Sequence, residues 1–197
     1  MSFGVRESFF AIENDLLQFS RYVDFSEGNL QVFSYELARL LLIIGSEVDI
    51  AFKVLCKKLC GESEFKGISQ YKKCLLSRDL WIDDDNRLFN PQSPLDETDK
   101  VYMPRHHLTL FPWAGFSLDD SPKWWKSYNA VKHDRLSSSD AASLKNVLLA
   151  SSALFYIVSS LGHIQNKLFW DDNSVKPGLR LFVMKGFMSG SDHVEIR

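Results

Sequence analysis

The sequence predicts a mainly α protein: a helical bundle with two long core helices and a small β or loop excursion ahead of a short aromatic and cationic helix. Three observations carry this. From about Leu30 or Ser34 to Leu59, apolar residues recur every three or four positions, the period of a helix with a buried face. From about Ser139 to Leu168 they do so again. Between these stretches the texture changes to "WIDDDNRLFNPQSPLDETDK", which is polar and proline-containing, and then to "VYMPRHHLTLFPWAGF", which is extended or hairpin-like and interrupted by Pro104 and Pro112. The 197 residues suit one domain, 1–197, with the excursion at 81–120 inside it and an extended tail at 171–197. A chain of this length buries a core without covalent staples.

Taken in order, "ESFFAIENDLLQFSRYV" forms a first amphipathic helix, Glu7 to about Tyr22, followed by the turn formers of "DFSEGN". In the first long helix Leu37, Leu41, Ile44, Val48, Phe52, Leu55 and Leu59 define one buried stripe, and Gly61 ends it. Leu40, Ile43, Ile50 and Val54 make a second stripe beside the first, so the helix is expected to be covered on much of its circumference. Glu47 interrupts that second stripe. It either faces a partner or a wet cleft, or reaches water from the stripe's edge, because an unpaired buried carboxylate is costly. Asp49 pairs with Lys53 one turn on. A shorter helix covers "GISQYKKCLLSRDL". Ser121 at N-cap and Pro122 at the first helical position then start a helix that runs to about Arg135. The second long helix follows, with Val147, Ala150, Leu154, Ile157, Leu161, Ile164 and Leu168 as its core stripe. The tail "PGLRLFVMKGFM" is a strand or an extended strap.

The net charge of −2 gives no global basic field that would advertise nucleic acid. Cations do gather locally, from Lys123 to Arg135. The three cysteines, Cys56, Cys60 and Cys74, are an odd count without a paired framework, which points to buried thiols in a reducing, cytoplasmic compartment. The N-terminus "MSFGVRESFF" has no apolar signal-peptide core. "VLLASSALFYIVSSLGHI" is nearly of membrane length and lacks Asp, Glu, Lys and Arg, but its serines, glycine and histidine fit a central bundle helix, so no membrane partner is expected. His106 and His107 are adjacent; in a strand they would point to opposite faces and could not easily share a metal, so no metal site is assigned.

The stretch "WWKSYNAVKHDR", Trp124 to Arg135, is the candidate site. On a helix Asn129 and His133 share a face, Lys126 and Lys132 flank it at about 60° to either side, and Trp124, Ser127 and Val131 point away. Lysine and arginine neutralise a phosphate, asparagine orients it, histidine exchanges a proton near neutral pH, and aromatics stack on unpaired bases. The same residues also describe an ordinary helix end. Cations and His133 suit the negative pole of the dipole, and tryptophans fill cores.

"IGSEVDIAFK" on a long apolar helix, a proline-rich excursion, "WWKSYNAVKH" and a second long helix together resemble the HEPN superfamily over about Leu30 to Leu168. Its members are helical bundles, many of them metal-independent endoribonucleases of toxin–antitoxin or phage-defence systems, with an arginine, commonly a polar residue next, and a histidine four to six residues after the arginine. The resemblance implies a homodimer, RNA as ligand or substrate, no cofactor, and a protein partner or antitoxin. It puts Asn129 on the polar position and His133 on the histidine as the catalytic pair, with Lys126, Lys132, Arg135 and Tyr128 toward phosphate or RNA. Tyr128 stands where the arginine would be, and lysine does not reproduce a bidentate guanidinium. The alternative function is therefore a non-catalytic HEPN-like interaction or regulatory module with a decayed site.

Overall fold

The computed structural model describes residues 4–61, 64–76, 95, 99–164, 181–183 and 194–197. Their regular elements are helices α1 (Val5–Phe19), α2 (Tyr35–Cys60), α3 (Ile68–Leu76), α4 (Lys123–His133) and α5 (Leu144–Ile164), with strands β1 (Val101–Met103), β2 (Leu108–Leu110) and β3 (Val194–Ile196). The protein is mainly α with a small sheet. α2 and α5 share the largest interface; α1 and α4 each pack on both, and α3 packs on α2.

α2 begins and ends where its sequence directs. The Ser34 side chain accepts a hydrogen bond from the Leu37 N–H at 3.1 Å, and Gly61 takes the left-handed conformation at φ 67°, which costs a glycine nothing. The stripe from Leu37 to Leu55 is fully buried, each large side chain contributing about 1.5–3 kcal/mol of burial. The second stripe is not a buried stripe. Leu40 is buried and Val54 is half-buried, but Ile43 and Ile50 are 39 % and 42 % exposed, because the other helices take the remaining sides of α2. Asp49 pairs with Lys53 at 2.6 Å as expected, and also accepts the Tyr71 hydroxyl at 2.7 Å, which ties α3 to α2.

α1 stops at Phe19, one turn short of the expected Tyr22, and the chain continues as turns. Its buried Glu13 accepts the Leu181 N–H at 2.9 Å, fastening the tail to the bundle. α5 starts at Leu144, after a 3-10 turn at Ser139–Ala141, five residues later than the sequence suggested. Val147, Ala150, Leu154, Ile157 and Leu161 are buried in it; the Ile164 side chain and Leu168 lie outside the described residues. The window Leu144–Leu161 is long and apolar enough to cross a membrane, yet 89 % of it is buried inside the bundle. Three of its buried hydroxyls bond back to the helix, Ser151 donating to the Val147 carbonyl at 2.7 Å, Ser152 to that of Leu149 at 2.8 Å and Ser160 to that of Tyr156 at 2.8 Å, while the buried Ser159 hydroxyl has no partner among the described residues.

Of the excursion, 81–94 and 96–98 lie outside the described residues; Val101–Leu110 is a hairpin, and Phe111–Asp120 continues as turns and bends. β1 and β2 pair antiparallel with Val101 opposite Leu110, and β3 of the tail adds in parallel, Leu108 opposite Val194. The remainder of the tail, 171–180 and 184–193, lies outside the described residues. His106 and His107 are in the hairpin connection rather than in a strand. His106 packs on Phe25 with ring centres 5.1 Å apart, and burial pushes its imidazole below the usual range; His107 takes the left-handed conformation.

The cysteine expectation is overturned. Cys60, the last residue of α2, and Cys74 of α3 form a disulfide, and only Cys56 of the three keeps its thiol, buried. α3 folds back along α2 and brings the two Cα atoms to 6.2 Å, within bridging range. The cysteine count therefore no longer argues for a reducing compartment.

Candidate functional site

α4 is built from its aromatic side outward. Pro122 is the N-cap, not the first helical residue, and its carbonyl receives the N–H groups of Trp125 and Lys126. Ser121 does not cap the helix; its own N–H donates to the Asp120 carboxylate at 2.7 Å. The Trp124 indole N–H donates to the Pro112 carbonyl at 2.7 Å inside the core, fixing α4 to the excursion. Trp125 meets Phe52 of α2 at 6.3 Å between ring centres and Tyr128 at 5.4 Å. The aromatic bulk of the segment is thus core.

Tyr128 belongs to that core. Its ring lies so close to Gly45 of α2 that a Cβ built there would stand 2.3 Å from Cδ2 and 2.5 Å from Cγ. Only glycine permits this approach. The expectation that Tyr128 faces phosphate or RNA is corrected on this ground: the ring is buried between Gly45 and Trp125.

The Asn129–His133 face exists, but its members are not held as a unit. The Asn129 amide donates to the Trp125 carbonyl of its own helix at 3.0 Å. Lys126 pairs with Asp120 at 2.6 Å, and this contact with Lys126 is the main reason the Asp120 carboxyl titrates below its usual range. Both partners are more than half exposed, so the pair adds little stability. Lys132 extends over the Tyr128 ring, 5.5 Å from its centre. His133, the last residue of α4, and Arg135 are exposed. Behind them Ser127 accepts from the Asn146 amide at 3.0 Å, which joins α4 to α5. Glu47 is half-buried on α2. Two residues past Gly45 it is about 200° round the axis, so it points away from α4 and is not part of this site.

Two features here escaped the sequence reading. A groove of about 420 Å³ adjoins the C-terminal end of α4, lined by Phe33, Tyr35, Ala38, Arg135, Leu136 and Ser139 among others. Phe33 and Ala38 bracket the α2 cap at the staple positions, a pattern visible in "FSYELA". Lys145 of α5 is the second: burial, with a smaller contribution from the nearby Lys123 charge, pushes its ammonium below the usual range. Among the described residues no three of His, Cys, Asp and Glu cluster to hold a metal. No protein-family model, curated protein or solved structure matches the chain.

Proposed function

We propose that the chain is a HEPN-like interaction module without nuclease activity. The observation that carries this is the burial of Tyr128 against Gly45. The position where a nuclease of this kind carries its phosphate-binding guanidinium is here a packing position between α2 and α4. A charge placed there would leave water without a partner. The Asn129 amide also donates one N–H to the Trp125 carbonyl of its own helix, which turns that group toward the helix backbone.

A second reading has its own support. Lys132, His133 and Arg135 are exposed together at the end of α4, and none of them forms an ion pair with a described residue. They form a local cationic lip beside the groove, suited to phosphate contact by RNA even without cleavage. Incubation of the purified chain with total RNA and tRNA in EDTA, beside His133→Ala, separates the readings. The module reading expects identical, intact RNA with both proteins. EDTA-resistant cutting that His133→Ala abolishes would sink it. Salt-sensitive binding without cutting would establish the second reading.

A further inference from the structure

The connection between α2 and α3 is closed by the Cys60–Cys74 bond, which joins residues 14 apart in the chain. Each of its sulfurs sits beside a backbone carbonyl. Cys60 Sγ lies 3.7 Å from the Cys74 carbonyl oxygen, and Cys74 Sγ lies 3.9 Å from the Cys56 carbonyl oxygen. A disulfide sulfur has no hydrogen to donate, whereas a thiol is a weak donor. Reduction therefore creates two S–H groups that each have an acceptor within reach, with no rearrangement of α2 or α3. α3 also has anchors that do not involve sulfur. The Tyr71 hydroxyl donates to Asp49 at 2.7 Å, the Tyr71 ring stacks on Phe52 with centres 5.2 Å apart, and Leu75 is fully buried. Of the bonded cysteines Cys60 is the more exposed, half-buried at the end of α2, while Cys74 is buried. An entering thiolate meets Cys60 first.

We infer that Cys60 and Cys74 form a reversible redox switch, whose dithiol state keeps the fold but frees the α2–α3 connection to open from α2. The reductant is a low-molecular-weight thiol. Its thiolate attacks Cys60 Sγ, the Cys60–Cys74 bond breaks, and Cys74 leaves as a thiolate that takes a proton from water and then donates to the Cys56 carbonyl. A second thiolate attacks the reagent sulfur of the mixed disulfide and releases Cys60, which is protonated in turn. Two electrons enter the protein, and two reagent thiols become one reagent disulfide. Fully buried Cys56 contributes its carbonyl to this cycle, not its thiol. The consequence is local. A cross-link disfavours the opened connection by restricting its ends. Without it, opening has only to break the apolar contacts of Phe65, Tyr71 and Leu75 and the Tyr71–Asp49 hydrogen bond, so this part of the chain becomes the first to open. The connection supplies Glu64, Phe65 and Lys66 as one wall of a cleft of about 490 Å³, and α2 supplies Lys53, Val54 and Lys57 as the other. Reduction loosens the first wall from the second.

The switch does not depend on whether α4 binds RNA, and its test reads thiols and amide exchange. The full chain is equilibrated without denaturant in buffers of graded reduced to oxidised dithiothreitol, and thiols are trapped with a maleimide and located by peptide mass spectrometry. Cys60 and Cys74 are expected to label together as the buffer becomes reducing and to lose labelling when it is made oxidising again, with Cys56 unlabelled throughout and the far-ultraviolet circular dichroism unchanged. Hydrogen exchange of α3 is expected to be about a hundredfold faster in the reduced protein, with α5 unaffected. Cys60→Ser with Cys74→Ser should exchange like the reduced protein in every buffer. A bond that yields only in denaturant overturns the switch. So does a reduced protein that loses its helical signal, an α3 exchange rate equal in the two states, or a double serine variant that still responds to the dithiol.

Discussion

Gly45→Ala opposes two effects whose sizes are known separately. In a helix interior alanine is favoured over glycine by about 0.8–1.0 kcal/mol, so propensity alone predicts stabilisation. At this position the new methyl would stand 2.3–2.5 Å from three carbons of the Tyr128 ring. An ordinary carbon–carbon contact is about 3.5 Å or more, so the ring must retreat by about 1 Å. Trp125 stands beside it and Lys132 over it, which leaves little room. Overpacking of this kind costs about 1–3 kcal/mol, and the upper part of that range applies because the clash is with a rigid ring. The net expectation is a loss of about 1–2 kcal/mol, or a fall in Tm of about 2–8 °C for a chain of this size. Urea and thermal unfolding by circular dichroism read it. Tyr128→Ala alone costs about 3–5 kcal/mol, and in the Gly45→Ala background it costs less, because the methyl occupies part of the void. A Gly45→Ala protein more stable than wild type, or strictly additive costs, would refute the close α2–α4 approach on which the functional reading depends.

Two further outcomes follow from the fold. Reduction of the Cys60–Cys74 disulfide, or Cys60→Ser, lowers the unfolding free energy by about 3 kcal/mol, the loop-closure value for a cross-link of this span; equal urea midpoints with and without a dithiol reductant would exclude a stabilising bond. Burial, with the Asp49 carboxylate beside it, holds the Tyr71 phenol well above its usual range. Because the folded value is the raised one, the stability is intact below the ordinary phenol pKa of about 10 and is lost as pH rises beyond it. Tyr71→Phe is therefore expected to be less sensitive than wild type to alkaline unfolding, and parallel pH–stability curves would contradict the assignment.

Where one helix decides its own structure, the sequence was legible. Ser34 and Gly61 bound α2 because a cap hydroxyl and a left-handed terminus are local chemistry. The described part of the α5 stripe, Val147 to Leu161, is buried because its period is helical. Legibility failed where partners from elsewhere decide. Ile43 and Ile50 are as apolar as Leu40, and only the packing of the other helices determines which of them is covered. Cys60 and Cys74 become neighbours only when α3 folds back on α2. Pro122 shifted the α4 cap by one residue because its own backbone is extended, at ψ 147°. At the candidate site Asn129 and His133 do share a face, but Tyr128 was the misread residue. Trp124, Tyr128 and Val131 are spaced as a buried stripe, a signal present in the sequence that marks Tyr128 as core.

The central claim is that position 128 is a packing position rather than a vacant phosphate site, and Tyr128→Arg tests it most directly. The guanidinium would enter a space bounded by Gly45 and Trp125, with the Lys132 ammonium 5.5 Å from the present ring centre as a like charge. The account predicts a loss of about 3 kcal/mol or more in urea unfolding and no EDTA-resistant cleavage of total RNA or tRNA. A Tyr128→Arg protein as stable as wild type that cuts RNA in EDTA, and loses that activity when His133→Ala is added, would contradict it.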